Sequence, residues 1–436
     1  MRISNVIAEP AVVLILSLSK DEADQRKIIA MDFNDSPAEA AYREKARAWL
    51  VEAAAAHRAE HGEPKANTPE HMAAAKAWQA RKAAAGYACI TWPAAVGGGG
   101  GTPIESVIFG QEEGKAGVAY GYFTIGLGMC VPTVMAFSDT DTKKRFVSPA
   151  VKGEEIWCQL FSEPAGGSDV AALRTRAIRD GDDWVINGQK VWTTGAHYSD
   201  FGILLTRTDP DVPKHKGLTM FWIDMRDPAV ECRPIHQMSG GREFNEVYFS
   251  DLRVKDSQRL GEVGQGWQVA LVTLMNERLA VGGSAGPNYR EVLELARALP
   301  GADGPALAND AFREKLADWF VASQGLKFTR FRTMTALSRG QTPGPESSIG
   351  KIISANQLQD LANTAVEMQG EYGVLTGPEA AASAAFQQSL MWAPGLRIAG
   401  GTDEILKNII AERVLGLPGD VRVDKDVPFK DMPTGR

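Results

Sequence analysis

The chain has 436 residues, 44% hydrophobic and 23% charged, with a formal net charge of −7. This is ordinary for a globular protein large enough for two or three packed layers, and the acidic balance speaks against a nucleic-acid surface, which needs a basic patch. Four cysteines (Cys89, Cys130, Cys158, Cys232) lack metal-ligand spacing and read as reduced buried thiols, six scattered histidines are read as no metal site although His57 and His61 stand four apart, and no apolar run reaches the ~18 residues of a membrane span.

Residues 1–30 differ in character from the rest of the chain. A short apolar run at 11–18 precedes Lys20-Asp21-Glu22 and Arg26-Lys27. It is marginal for a signal peptide, and no A-x-A cleavage site comes after it. The preferred reading is a start placed too early, with Met31 the natural first residue; a disordered tail or an added strand are the alternatives.

From 36 to about 151 the pattern is helical. Ser36-Pro37 is an N-cap followed by proline at the first helical position. Further helices are predicted at 72–85, 104–114 and 140–151, with a small-residue segment at 126–133. The glycine run 97–101 is not followed by Gly-Lys-Ser/Thr, so it is expected to be a flexible surface loop rather than a phosphate loop.

From about 155 to 254 the period changes to two. Segments 201–207, 218–224 and 246–254 alternate and are rich in β-branched and aromatic residues. Within this region, Ser162-Glu163-Pro164-Ala165-Gly166-Gly167-Ser168-Asp169 is turn-rich. Pro164 fixes φ, the glycines permit close approach, and N–H groups around Ser168 are free to face an anion. Strands are predicted at 173–178 and 184–186, flanking a turn at Asp180-Gly181-Asp182-Asp183, and Asn187-Gly188 reads as a further hairpin signal. Trp192 then offers a flat apolar face, and Thr194 a hydroxyl and an N–H. A planar cofactor carrying phosphates suits both halves of this stretch.

Helical patterning returns at 266–285, 313–339, 348–370 and 402–415. The tail after Pro418 is polar and expected to fray. The expected fold is α+β: an N-terminal helical domain (31–154), a middle antiparallel β-barrel-like domain (155–260), a C-terminal four-helix domain (261–420) and a tail (421–436).

The pattern E-P-x-x-G-S-D at 163–169, followed by N-G-x-K-x-W-x-T at 187–194, closely resembles the acyl-CoA dehydrogenase family of flavoproteins. Residues 264–283 and 397–417 resemble two further blocks of that family in order, so the resemblance covers roughly 31–420. It implies the same three-domain fold, FAD as cofactor, and oxidation of an acyl-CoA between Cα and Cβ to the trans-2-enoyl-CoA. It further implies an electron-transferring flavoprotein as acceptor, a cytoplasmic homo- or heterotetramer or dimer, and a role in fatty or branched acyl catabolism.

Such chemistry needs a base in a dry pocket and a hydride acceptor that no side chain provides. Many family members carry the base where this chain has Gly400. Members of the isovaleryl and long-chain types carry it in the helix opening the C-terminal domain, matching Glu277. The residues agree: Glu277 stands in an apolar surround, and Ala280, Gly282, Gly283, Ser284, Ala285 and Gly286 clear the turns after it. The plain alternative is an ion pair with Arg278 or another cation. Asp403 and Glu404 are rival bases, but they fall past the family's base position.

The resemblance also implies flavin contacts at Gln159, Leu160, Phe161, Ser162, Gly167, Ser168, Trp192, Thr194, Glu367, Gln369, Gly370, Thr402 and Glu404. Substrate contacts are implied at Ser168, Met275, Arg278, Ala399 and Gly400. Two departures stand out: Glu371 replaces a common glycine, and 293–319 lacks the Arg-x-x-Phe-Gly segment whose arginine meets a neighbouring subunit's flavin. Two other readings remain open: a flavin oxidase on the same scaffold, and a subunit of a hetero-oligomer that has lost catalysis.

Overall fold

The computed structural model describes residues 35–432, apart from 281–285, 302–303, 340, 342–343, 346, 378, 420 and 422–423; of residues 276–280 it describes the helical backbone. The extension 1–30 and the expected start at Met31 lie outside the described residues.

Three N-terminal helices start by one device. In α1 (Pro37–His61) the Ser36 hydroxyl accepts from the Glu39 N–H, Glu39 accepts in return from the Ser36 N–H, and Pro37 occupies the first turn. Thr68 caps α2 (Pro69–Ala84) by accepting from the His71 N–H, with Pro69 in the first turn but no reciprocal bond, and Thr102-Pro103 opens α3 (Pro103–Ala116) with the reciprocal pair to Glu105. A π-helical turn at Gly126–Cys130 runs into α4 (Val131–Phe137), and α5 (Thr140–Val151) comes next.

The glycine run is not the flexible loop expected. The N–H groups of Gly98, Gly99, Gly100 and Gly101 donate to the carbonyls of Pro93, Cys89, Trp92 and Ile90. A Cβ at Gly98 would lie 2.3 Å from the Trp92 carbonyl oxygen. Glycine is required here because backbone packs on backbone.

The middle region holds β1 (Trp157–Leu160), β2 (Arg176–Asp180), β3 (Asp183–Lys190), β4 (Phe201–Arg207), β5 (Leu218–Asp224), β6 (Val230–Pro234), β7 (Asn245–Lys255) and β8 (Arg259–Leu260). They form one sheet in the order β6-β7-β3-β2-β4-β5-β8, with β1 also on β4. The ladders are antiparallel except that β1, and one residue pair of β2, run parallel to β4. The sheet is therefore mixed where antiparallel pairing was expected; the hairpin β2–β3 lies inside the crossover between β1 and β4 and makes the parallel pairing reachable.

β2 begins at Arg176, later than predicted, because residues 170–172 form a 3₁₀ turn. Asn187-Gly188 is not a hairpin turn. The reversal lies between Asp180 and Asp183, while the β3–β7 register slips between Ile186 and Gly188 as a bulge. A Cβ at Gly188 (φ 155°) would meet the Thr175 side chain at 2.5 Å.

Both faces of the sheet are covered. Ile203 and Leu205 of β4 join Val134, Phe146, Trp157 and Val269 in one core, while Leu204 joins Leu160, Ile186, Phe221 and Val247 in another. This is the period-two alternation of a strand buried on both sides.

The C-terminal region contains α6 (Gly266–Ala280), α7 (Tyr289–Ala298), α8 (Asp310–Ser338), α9 (Ser347–Met368), α10 (Ala385–Ile398) and α11 (Asp403–Arg413). Helices α7 and α10 were not foreseen. α7 has a readable capping box, Asn288 with Glu291, whereas Pro394 and Gly395 inside α10 read as breakers.

The tail does not fray over its described part. Phe429 and Lys430 donate backbone N–H bonds to Val212 and Pro210, and Lys430 pairs with Asp211 at 2.7 Å. The tail holds because it adds an extended edge to the loop after β4. Among the described residues, no helix is long and apolar enough to cross a membrane.

Candidate functional site

The turn-rich segment is anchored by a buried ion pair. Lys190, at the end of β3, is 0% exposed, and its Nζ donates to Glu163 Oε1 at 2.8 Å and to the Phe161 carbonyl at 3.0 Å. Glu163 also accepts from the N–H groups of Arg174 and Thr175, at 2.6 and 2.9 Å. Burial pulls Lys190 down to about 8. Burial pushes Glu163 up, but Lys190 and the surrounding donors outweigh it and hold the carboxyl below its ordinary value. The two sequence motifs thus form one rigid unit.

The loop from Gly166 to Asp169 projects from this unit. Gly167 and Ser168 are exposed. Among the described residues, neither their N–H groups nor the Ser168 hydroxyl find a partner. Successive unpaired N–H groups beside small side chains are suited to an anion. The Asp169 carboxylate faces Lys214 at 2.8 Å.

Beyond Lys190, the strand presents Trp192, Thr193 and Thr194. Trp192 has φ +59° and is 57% exposed. A bulky residue held left-handed is strained, and the constraint is visible on both sides. Val191 donates to the Ser162 carbonyl, and Thr193 exchanges backbone bonds with Asn245. The buried Thr193 hydroxyl has no partner among the described residues, and Thr194 is half-buried. The Trp192 ring meets Phe244 edge-on at 6.0 Å, and Phe244 stacks on Trp392 of α10 at 5.8 Å and 10°. Neither Phe244 nor Trp392 was singled out from the sequence.

On β1, Leu160 and Phe161 are buried, so only their backbones can reach a ligand; Gln159 and Ser162 are half-buried. The carbonyls of Phe161 and Ser162 are already used by Lys190 and Val191.

Helix α6 is fixed against the N-terminal region by one polar contact. The buried hydroxyls of Thr273 and Thr133 lie 2.8 Å apart. Met275 is 61% exposed. Glu277 and Arg278 fall in the last turn of this helix, four and five positions after Thr273; their side chains lie outside the described residues.

At the start of α11, Gly400 and Gly401 both have positive φ (63° and 88°), and Lys351 Nζ donates to the Gly401 carbonyl at 2.7 Å. Ala399 and Gly400 are exposed. The Thr402 hydroxyl caps α11, accepting from the Ile405 N–H. Asp403 is 2% exposed and accepts from Arg397 at 2.8 Å and Asn356 at 3.1 Å. Burial raises its carboxyl, but Arg397 and Asn356 bring it below the usual carboxylate range. Glu404 is exposed, and its backbone N–H and the Thr402 hydroxyl lower it as well.

At the end of α9, Glu367 and Gly370 are exposed. Gln369 is buried; its amide donates to the Ala365 carbonyl and accepts from Gln387 of α10.

Sequence reasoning quoted Glu163 and Lys190 without giving them a role. The signal was there: Lys190 falls on the same parity as the inward-facing Trp184 and Ile186 of β3, and a lysine on a core face needs a carboxylate. The unpaired loop N–H groups, the orphaned Thr193 hydroxyl and the exposed indole together fit a flat ring system bearing phosphate.

Three family models match the chain in order: acyl-CoA dehydrogenase N-terminal domain at 36–154, middle domain at 158–252 and C-terminal domain at 264–415. Acyl-CoA dehydrogenase FadE34 of Mycobacterium tuberculosis is 39% identical over 75% of this chain, and this chain spans 44% of that relative's length. Acyl-CoA dehydrogenase IpdE1 of the same organism is 36% identical, covering 80% of this chain and 89% of the relative. Among solved structures, the Tcur3481-Tcur3483 steroid ACAD superposes with a TM-score of 0.73 at 25% identity, over 89% of this chain and 100% of that one.

Proposed function

Because the chain belongs to the acyl-CoA dehydrogenase family, we propose that it removes the α- and β-hydrogens of an acyl-CoA thioester to give the trans-2-enoyl-CoA. FAD, the cofactor of that family, supplies the hydride acceptor when bound. The observation that carries this reading is the exposed, left-handed Trp192 on the same rigid unit as the unpaired N–H groups of Gly167 and Ser168.

Trp192 offers a stacking face. Thr193 and Thr194 offer hydroxyl groups to its polar edge, and Ser168 with Gly167 binds phosphate oxygens. Gln159, Leu160, Phe161 and Ser162 line the ring's rim through backbone groups, while Thr402, Glu404, Glu367, Gln369 and Gly370 complete the outer contacts. Glu277 takes the α-proton. Gly400 has no acid to offer, and Asp403 and Glu404, both held below the ordinary carboxylate range, are weak bases at neutral pH. Met275, Arg278, Ala399 and Gly400 border the acyl-CoA. The acceptor is an electron-transferring flavoprotein. The two-chain name of the steroid ACAD supports assembly with a second, related chain and a bulky polycyclic acyl group.

Anaerobic mixing with short, branched, long and polycyclic acyl-CoAs tests the reading: the matching thioester bleaches the flavin. Glu277→Gln keeps the yellow colour and slows bleaching by about 10²–10⁴-fold, the range for loss of a positioned base. Bleaching at the unaltered rate would move the base elsewhere. Protein that stays colourless when FAD is offered would favour the catalytically reduced subunit instead.

A further inference from the structure

The loop that offers unpaired N–H groups has little of its own to hold its shape. Gly166 exchanges two backbone bonds with Glu163 at the loop's base, but beyond it the N–H groups of Gly167 and Ser168 have no partner among the described residues. A floppy nest loses affinity to the entropy of ordering it. Something outside the loop has to fix it.

Resting on the functional reading above, we propose that residues 424–432 form a strap that positions this phosphate-facing loop, with Lys214 as the positioning residue between them. Two separate connections run from strap to loop. In the first, Lys214 Nζ is bracketed by Asp169 at 2.8 Å on the loop and Asp424 at 2.6 Å on the strap. In the second, Phe429 covers the Arg207 guanidinium, whose carbon lies 3.6 Å from the ring centroid. Arg207 is buried, and its other contacts all point back toward the loop. It donates to the carbonyls of Ala171 at 2.6 Å, Leu173 at 3.1 Å and Lys214 at 3.1 Å. The strap lies along residues 210–213 through the N–H bonds of Phe429 and Lys430 and a bridge between Pro428 and Pro213. Loop, Lys214, Arg207 and strap thus form a closed ring of contacts.

The sign of one substitution separates positioning from bulk charge. Asp424→Asn removes a negative charge from the neighbourhood of a phosphate site. If charge alone mattered, phosphate ligands would bind slightly tighter. If Asp424 holds Lys214, and Lys214 holds Asp169, they bind more weakly.

The phosphate has two available sources, the pyrophosphate of FAD and the phosphates of coenzyme A. The test measures FAD retained on dilution and ultrafiltration, and free coenzyme A binding by calorimetry, alongside thermal melting. The chains are the unaltered protein, Asp424→Asn, Asp424→Glu, Phe429→Leu and a form ending at residue 419. Asp424→Asn and Phe429→Leu are expected to weaken one of the two ligands about tenfold, a change of about 1.4 kcal/mol, with the melting temperature unmoved. Asp424→Glu restores the affinity. Weakening of FAD alone assigns the nest to the flavin; weakening of coenzyme A alone assigns it to the substrate. Unchanged or tighter binding of both ligands by Asp424→Asn overturns the strap. So does a loss that tracks the melting temperature and is not restored by glutamate. An unaltered chain that binds neither ligand overturns the functional reading itself.

Discussion

Lys190→Met tests whether the two motifs are held together by the buried pair. The variant deletes a cation that is 0% exposed and leaves Glu163 without its ion-pair partner, Arg207 acting on it only from a distance. Removing one partner of a buried pair costs about 3–5 kcal/mol. Glu163 keeps its backbone donors at 2.6 and 2.9 Å, which favours the lower end, about 3 kcal/mol. The Phe161 carbonyl also loses its donor, adding about 1 kcal/mol. The expected loss is therefore about 4 kcal/mol, read as a lower urea midpoint with unchanged slope in tryptophan emission. Adding Glu163→Gln strands no charge and keeps an acceptor oxygen for one of the Arg174 and Thr175 N–H groups, which bind separate oxygens of Glu163, and should recover about 1 kcal/mol as a non-additive term. The pH dependence carries a second signature. Glu163 is held below its ordinary value in the unaltered protein, so its contribution is present at neutral pH and fades as pH falls through the carboxylate range. In Lys190→Met the lowering by Lys190 is lost while burial remains, so Glu163 rises relative to the unaltered chain and the variant recovers stability relative to it as pH falls from 7 toward about 5. A single variant that loses under about 1 kcal/mol, or a stability difference that does not shrink on acidification, would refute the reasoning.

Two other outcomes are expected from the packing. Gly188→Ala should destabilise the middle region by about 2–3 kcal/mol in the same urea assay, because its Cβ lands 2.5 Å from Thr175 at a positive φ. Glu112, bound by Arg47, Lys115 and Arg43, is lowered from 4.5 to about 2, Arg47 contributing most; its stabilisation is complete above 4.5 and lost as pH falls toward 2. Circular dichroism across that window should show Glu112→Gln with a flatter acid limb than the unaltered chain.

Much of the architecture was legible wherever local chemistry and periodicity agree. Ser36-Pro37, the alternation of β4 and the span of α5 emerge as read, because caps and burial parity are written within a few residues. Asn187-Gly188 misled because the dipeptide that suits a tight turn here stays in the strand, Asn187 facing the two residues Ser250 and Asp251 of a bulge on β7, and only the partner strand decides. Helix α10 was hidden by Pro394 and Gly395, whose breaking tendency is overridden by packing of Phe386 into the C-terminal core. The tail was misread because its anchors lie about two hundred residues upstream in sequence, as Lys214–Asp424 shows. At the site, the motif residues were quoted in full; the parity of Lys190 asks for a carboxylate but does not say that it comes from 27 positions away, and the Trp192–Phe244–Trp392 contacts are tertiary facts with no local trace.

The Thr133–Thr273 contact bears on how the C-terminal region is seated against the N-terminal one. Two hydroxyls meeting inside an otherwise greasy seam act as an index mark on α6: turning the helix by one residue would swing Thr273 through about 100° and strand it against alkyl groups. With the rotation pinned there, Val269, one turn before Thr273, stays turned into the same core as Val134. The seating of α6 on the N-terminal region is thus keyed by a pair of hydroxyls at positions 140 apart in sequence.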